Sequence, residues 1–440
     1  MQIRQRFSGI RFTGNNKHLL WAWCVLAAMP VAGITHHTSA EPASQPASEP
    51  VSEPAESVAS QLRVFRSAHY RIHTNLTREE TIPFGRHMDA VFEQYQLRFH
   101  SFTGGQIEPM PIYLLRTREQ YIRFMAGHDI DATNSGGLFF VTHEVQGLAT
   151  WAESGNRPRT FRVLQHEGFH QFALNYIGPN LPVWINEGLA QYFEDSVIVG
   201  QRLAVGLTSP SRIVRVKEAI EDGSVMPLAS LAQISSRQWN QAMRDRPQDS
   251  AMLYAQSWSL VYYLIHGNDE GHRGAFVEYL KLLSQGSEPH IAERIAFGTD
   301  GFAGLTGDWK ADAVQQSVDD VANATERLEF LGTGLRLLAE NEQDMPESIE
   351  DLQAVLQEYG FRVRRQELGV TRQLTADDDT LFTFVRDSDS GNPFEAQFVI
   401  LAPARSDLPP RIVAPGLSPE PTLIWHRDGD GNLVQDIEYR

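Results

Sequence analysis

The sequence predicts a mixed α+β fold, in which a larger α/β unit is followed by a smaller C-terminal α+β domain. Three observations lead there. Short strand-like runs alternate with helical patterns at the start of the globular part, helical periodicity dominates up to about residue 285, and the stretch beyond 325 holds a helix and then several strand-like runs. At 440 residues the chain is long enough to bury more than one core, so a single domain is not expected.

Taken in order, the N-terminus carries Arg4, Arg6, Arg11 and Lys17, then an apolar run over 19–34, then Thr38-Ser39-Ala40 ahead of Glu41. This is the pattern of a secretory signal peptide over 1–40, cleaved after Ala40. The apolar run falls short of the roughly eighteen residues expected of a spanning helix, and an uncleaved segment would serve as a membrane tether. Cys24, the only cysteine, lies inside this run, so the mature chain has neither a disulfide nor a cysteine nucleophile. Residues 41–61, rich in Pro, Ser, Ala and Glu, read as a disordered linker that can hold the folded part off an envelope surface. The expected location is therefore periplasmic or extracellular. Without residues 1–40 the chain has 34 basic against 55 acidic side chains, a net charge of −21, which argues against nucleic acid as a partner.

Folded structure is expected from Leu62. Strands are predicted at 64–65, 69–73 and 111–115, with helices over 79–99 and 119–125. A helix beginning near Thr160 ends at Gly178-Pro179, and Pro182 opens the next one. Helices fill 211–285, Trp309 closes the region, and this unit, 62–320, ends before a C-terminal α+β domain over 325–440. That domain opens with a helix over 325–342 and the step Met345-Pro346-Glu347-Ser348, and it resembles the globular head of bacterial pseudopilins. Asp428-Gly429-Asp430-Gly431-Asn432 reads as a tight hairpin rather than a calcium loop, since no Glu stands at the twelfth position.

One constellation carries chemistry. His166-Glu167-Gly168-Phe169-His170 places two imidazoles four residues apart on one helix face, where they can share a metal ion, with Glu167 beside them to act on water. Catalytic zinc usually takes three protein ligands, and Glu187, in Asn186-Glu187-Gly188-Leu189-Ala190 on the next helix, is the candidate third. Gly188 and Ala190 keep that helix slim enough for close approach. The pentapeptide alone is a weak signal. The helix stop, short turn and acid on the following helix make the joint pattern strong.

At these residues the chain resembles the gluzincin zinc metallopeptidases, most closely the peptidase-MA-like bacterial families, which include domains of unknown function. The resemblance rests on residues 164–171 and 182–194 and extends more weakly over about 62 to 310. It implies that His166, His170 and Glu187 bind Zn2+, that Glu167 is the general base, and that Ser135-Gly136-Gly137-Leu138-Phe139 leads a strand beside the cleft. It also implies a downstream oxyanion donor, for which Tyr254 is the choice and His266 and His272 the substitutes. Glu194, two turns beyond Glu187 on the same helix face, is the candidate partner for the second nitrogen of a metal-bound histidine, although the chain departs from a related subgroup in having Gln191 where an acid often fills that role. The expected activity is hydrolysis of peptide bonds in a peptide or protein substrate. The alternative is an inactive or zinc-binding relative that holds an envelope peptide or glycan as an assembly factor. Substrate and oligomeric state are left open by the sequence.

Overall fold

The computed structural model describes residues 62–440 apart from 103–107, 153–154, 201, 246, 268–269, 368–369 and 388–392. The expected signal peptide and linker lie outside the described residues. Among the described residues no helix is long and apolar enough to cross a membrane.

The architecture is mixed α+β, as the sequence predicts. Strands β1 (Arg63–Arg66), β2 (Tyr70–Thr74), β3 (Met110–Leu115), β4 (Gly137–Val141) and β5 (Gln146–Trp151) form one sheet in the order β1-β2-β3-β5-β4, with helices α1 (Arg78–Arg98) and α2 (Arg118–Ala126) between the strands. The inner pairings β2-β3 and β3-β5 are parallel, and both edge pairings are antiparallel. Thr77 and Glu80 close a capping box that starts α1. β5 is not among the strands the sequence predicts. Nearly all of it is buried, so it lacks the alternation that marks a one-sided strand.

The motif helix α3 (Arg157–Phe172) follows, ending in a single π turn (Ala173–Ile177) before Gly178. Its successor α4 (Val183–Glu194) has Pro182 as its N-cap rather than inside its first turn. Then come the hairpin β6 (Val197–Val199) and β7 (Arg202–Ala204), and the helices α5 (Pro210–Glu221), α6 (Leu228–Ala232), α7 (Ser236–Asp245), α8 (Pro247–His266), α9 (Glu270–Ser284), α10 (Pro289–Phe297), α11 (Gly301–Gly304) and α12 (Thr306–Gln315). The main apolar core of these parts runs from Tyr70 to Ala313, and a smaller cluster, from Leu115 to Trp151, lies where α2 packs on the sheet.

A second core, from Ala324 to Ile437, is built by α13 (Asp320–Glu340), α14 (Ile349–Glu358) and the strands β8 (Arg362–Glu367), β9 (Val370–Thr375), β10 (Thr383–Asp387), β11 (Pro393–Gln397), β12 (Val399–Leu401), β13 (Arg411–Val413), β14 (Pro421–Arg427) and β15 (Leu433–Tyr439). The hairpin expected at 428–432 joins β14 to β15, with the Asp428 side chain accepting from the backbone of Asp430 and Asn432.

The two cores share a sheet. Its order is β12-β13-β14-β15-β6-β7, so the hairpin that follows α4 lies beside the final strand of the chain. Charged contacts reinforce the seam. Arg162 on α3 pairs with Glu329 on α13, which also meets Arg365, and Arg157 pairs with Asp436 at 2.8 Å.

Two glycines set the distances that matter. A Cβ on Gly137 would meet Val163 Cγ1 at 2.4 Å, so β4 lies close against α3. A Cβ on Gly188 would meet the Ser257 carbonyl oxygen at 2.6 Å, so α4 and α8 touch backbone to backbone.

Two outcomes test this packing. Gly188→Ala must push α8 away from α4 and should cost about 1–3 kcal/mol in urea unfolding, as overpacking does; unchanged stability would show that the helices are not in this close contact. Glu329→Gln leaves Arg162 and Arg365 without their shared carboxylate. Because the Arg162 side chain keeps 29% exposure, the expected loss is about 2 kcal/mol, below the roughly 3–5 kcal/mol of a fully buried pair.

Candidate metal centre

α3 starts where the Asn156 side chain accepts the Arg159 backbone N–H, with Pro158 in its first turn. Leu164, Phe169 and Phe172 face the core, where Phe169 stacks on Phe193 of α4 at 5.4 Å. That leaves His166 and His170 together on the remaining inner face, ring centroids 4.9 Å apart. Gln165 joins the two helices. Its amide nitrogen donates to the carbonyls of Phe193 and Ser196 at 2.6 and 3.0 Å, satisfying the end of α4, while His87 reaches its amide oxygen at 2.9 Å.

The structure brings His166, His170 and Glu187 together, with one ligand atom from each within 4.8 Å of the others. Their exposures are 2%, 3% and 0%. Glu187 Oε2 lies 3.6 Å from Nε2 of each histidine, too long for a hydrogen bond. It is close to the separation of about 3.4 Å between neighbouring donors around tetrahedral zinc at about 2.0–2.1 Å. Both Nε2 atoms and both Glu187 oxygens are buried without a hydrogen-bond partner. Four converging orphaned donors of N and O type fit a divalent cation. These residues could hold a metal ion.

Glu167 is 1% exposed, and its two oxygens differ. Oε2 accepts the Phe139 backbone N–H at 2.7 Å, which fixes the carboxylate against the edge strand β4, and Oε1 has no hydrogen-bond partner. Glu194 meets His166 Nδ1 at 3.0 Å and Arg212 Nη2 at 3.1 Å. Arg212 also pairs with Asp195. The acid therefore supports the outer nitrogen of the first motif histidine, as the sequence suggests, and the base of α5 supports the acid.

Tyr254 lies on α8, 1% exposed, edge-on to Trp239, and its hydroxyl has no hydrogen-bond partner. It lines the same cavity as His166. Of the two substitutes, His266 is engaged with the Tyr192 hydroxyl at 2.9 Å and His272 packs on the Tyr263 ring. Gln191 is fully buried with both amide atoms unpaired.

Burial dominates the electrostatics and is met differently at each group. It opposes charge on His166, yet Glu187 and Glu194 outweigh it and push the imidazole up to about 10. Burial lifts the Glu167 carboxyl to about 8 against the pull of His166, and it raises Glu187 as well. His170 is held well below the usual imidazole range by burial and then by the charge of its neighbour. Burial works against the Glu194 carboxylate, but Arg212 and His166 hold it below the ordinary range. The Tyr254 hydroxyl is pushed up by burial and then by Glu187.

Sequence reasoning did not assign Gln165, Arg212 or the Arg162–Glu329 link a role. Gln165 carries the one local signal, an amide that follows Val163-Leu164 and stands directly before the first histidine. Arg212 acts through Glu194 and Asp195, and Glu329 through Arg162 and Arg365, all of them on other elements.

Residues 161–289 match the family described as "Protein of unknown function (DUF1570)". That span holds both motifs and Tyr254 and stops before the second core. No curated protein matches the chain. Each of His166→Ala, His170→Ala and Glu187→Ala should abolish any stoichiometric uptake of a divalent metal in chelator competition, and Glu194→Gln should weaken it by about 10–100-fold, as loss of a supporting partner does. Full metal affinity in any of the three alanine variants would remove that residue from the site.

Proposed function

We propose that this protein is a zinc-dependent peptidase of gluzincin type, acting on a peptide or protein substrate outside the cytoplasm. The observation that carries the reading is the pairing of the buried His166/His170/Glu187 group with a Glu167 carboxylate that has one oxygen tied to β4 and the other unengaged. A structural metal site has no use for such a carboxylate. Bound zinc would supply Lewis acidity, bringing the acidity of water near neutral pH and polarising the substrate carbonyl.

The residues of the chain do the rest. Glu167 takes the proton of the attacking water on its free oxygen and passes it to the leaving amine, so no covalent enzyme intermediate forms. The Tyr254 hydroxyl, kept protonated by its buried surroundings, donates to the oxyanion of the tetrahedral intermediate. Glu194 holds His166 in one tautomer through Nδ1. Close packing of α4 on α8, and of β4 on α3, excludes bulk water from around these groups.

Export is inferred from the basic residues, the apolar run over 19–34 and the Thr38-Ser39-Ala40 step. An acidic chain with no cysteine beyond Cys24 suits that location.

The test is cleavage of a mixed peptide library by the zinc-loaded protein. Glu167→Gln should keep its zinc and lose about 10²–10⁴-fold in kcat. Tyr254→Phe should keep zinc and lose about 10²–10³-fold in kcat, with little change in KM. Zinc bound by the native protein with no cleavage across the library would replace the peptidase reading by that of a zinc-dependent binding protein.

A further inference from the structure

His266 has no part in the proposed mechanism, yet it stands in a gathering of polar groups at the C-terminal ends of α4 and α8. Tyr192 Oη and His266 Nε2 meet there at 2.9 Å, the tyrosine 2% exposed and the histidine open to solvent. The place is separate from the metal group. His266 lies about 18 Å along α8 from Tyr254 at 1.5 Å per residue, and Tyr192 is turned about 140° around α4 from Glu187.

Two arginines from other helices join this pair. Arg98, in the last turn of α1, reaches the Tyr192 hydroxyl and engages Gln94 through Nη1. Arg273, near the start of α9, donates Nε to the Ile265 carbonyl at 2.9 Å. Both arginines are exposed, and among the described residues neither has a carboxylate partner. Gly206, on the loop after β7, lies against the pair. Its φ is +81°, and a Cβ there would fall 3.0 Å from His266 Nε2 and 3.3 Å from the Tyr192 hydroxyl, so both the backbone and the space select glycine.

The local charge is one-sided. Burial, then Arg273 and Arg98, hold the His266 imidazole below its usual range, and Asp312 opposes them with the smallest effect of the four. Burial lifts the Tyr192 hydroxyl against the pull of Arg98. A chain of net charge −17 repels anions over most of its surface, which makes two unmatched guanidinia beside two neutral donors stand out. Attraction to helix carbonyl ends accounts for a cation at each terminus, but not for their convergence on one phenol and one imidazole. Donors carried by four helices do not share a plane, so they suit an anion whose acceptor oxygens are not coplanar.

We propose that Arg98, Tyr192, His266 and Arg273 form a binding site for a tetrahedral oxyanion of the phosphate monoester type, whether free or borne on a lipid headgroup. The site is independent of the metal group and of the peptidase reading. Its occupant ties α1, α4, α8 and α9 together at one point.

The test is calorimetric titration of inorganic phosphate into the full chain at neutral pH and low salt. His166→Ala disables the metal group and should leave phosphate affinity unchanged. Arg98→Met and Arg273→Met should each lower it about tenfold or more, and Arg237→Met, at an exposed position on α7, should not. Arg98→Lys and Arg273→Lys should recover part of the loss, which a folding defect would not permit. Acetate should bind about tenfold more weakly than phosphate, and equal binding would overturn the tetrahedral assignment. Phosphatidylcholine vesicles with and without phosphatidic acid separate the two sources. Sedimentation with phosphatidic acid vesicles that depends on Arg98 assigns a headgroup, and phosphate binding without it assigns a free oxyanion. No phosphate binding, binding lost in His166→Ala, or binding unchanged in both methionine variants would overturn the site.

Discussion

The separation between α3 and α4 is the constraint on which the rest of the structure depends. Three ligand atoms from two helices can converge within 4.8 Å only if the helices are held at one spacing and one rotation. Gln165 holds them by donating to the carbonyl end of α4 from the position next to His166, and Tyr95 fixes the Gln165 backbone carbonyl with its hydroxyl at 2.6 Å. Phe169 against Phe193 supplies the apolar part of the same contact. Because protein interiors are close-packed, a shift in one of these contacts must move a ligand.

That spacing is maintained at a polar cost. His166, His170, Glu167, Glu187 and Gln191 are each at most 3% exposed, and several of their polar atoms lack hydrogen-bond partners. Buried groups of this kind are rare in proteins, and departures from local consistency concentrate at functional sites. The surroundings absorb the cost in a graded way. Glu194 shares the charge of His166, Arg212 shares that of Glu194, and farther out Arg162, Glu329 and Arg365 continue the alternation into the second core. Alternating buried charges contribute little net stability against apolar replacements, but they are strongly directional. Here they lock the orientation of α3 to the C-terminal strands, and thereby the cavity between them.

The shared sheet explains why the second core is more than an appendage. β15 lies beside β6, which begins three residues after Glu194, so the last strand of the chain is registered to the end of the ligand helix. The N-terminal region is tied in as well, since Glu80 in the first turn of α1 accepts the Gly429 N–H and pairs with Arg116, which also reaches Asp430. Burial opposes the Glu80 charge, but Arg116 and the backbone donors bring the carboxyl down to about 2.

By itself the sequence determined what is local. Helix periodicity puts His166 and His170 on one face, Gly178 and Pro182 bound the turn to the next helix, and the Gly188 and Ala190 pair marks a close approach around Glu187. The hairpin at 428–432 follows from turn chemistry in the same way. Tertiary structure alone decided what depends on distant partners. β5 escaped notice because a strand buried on both faces has no alternating signature, and the roles of Gln165, Arg212 and Glu329 exist only in contacts between separate helices. The cavity lined by His166 and Tyr254 is the extreme case: its walls come from residues as far apart as His87 and Tyr439, which no short window of sequence contains.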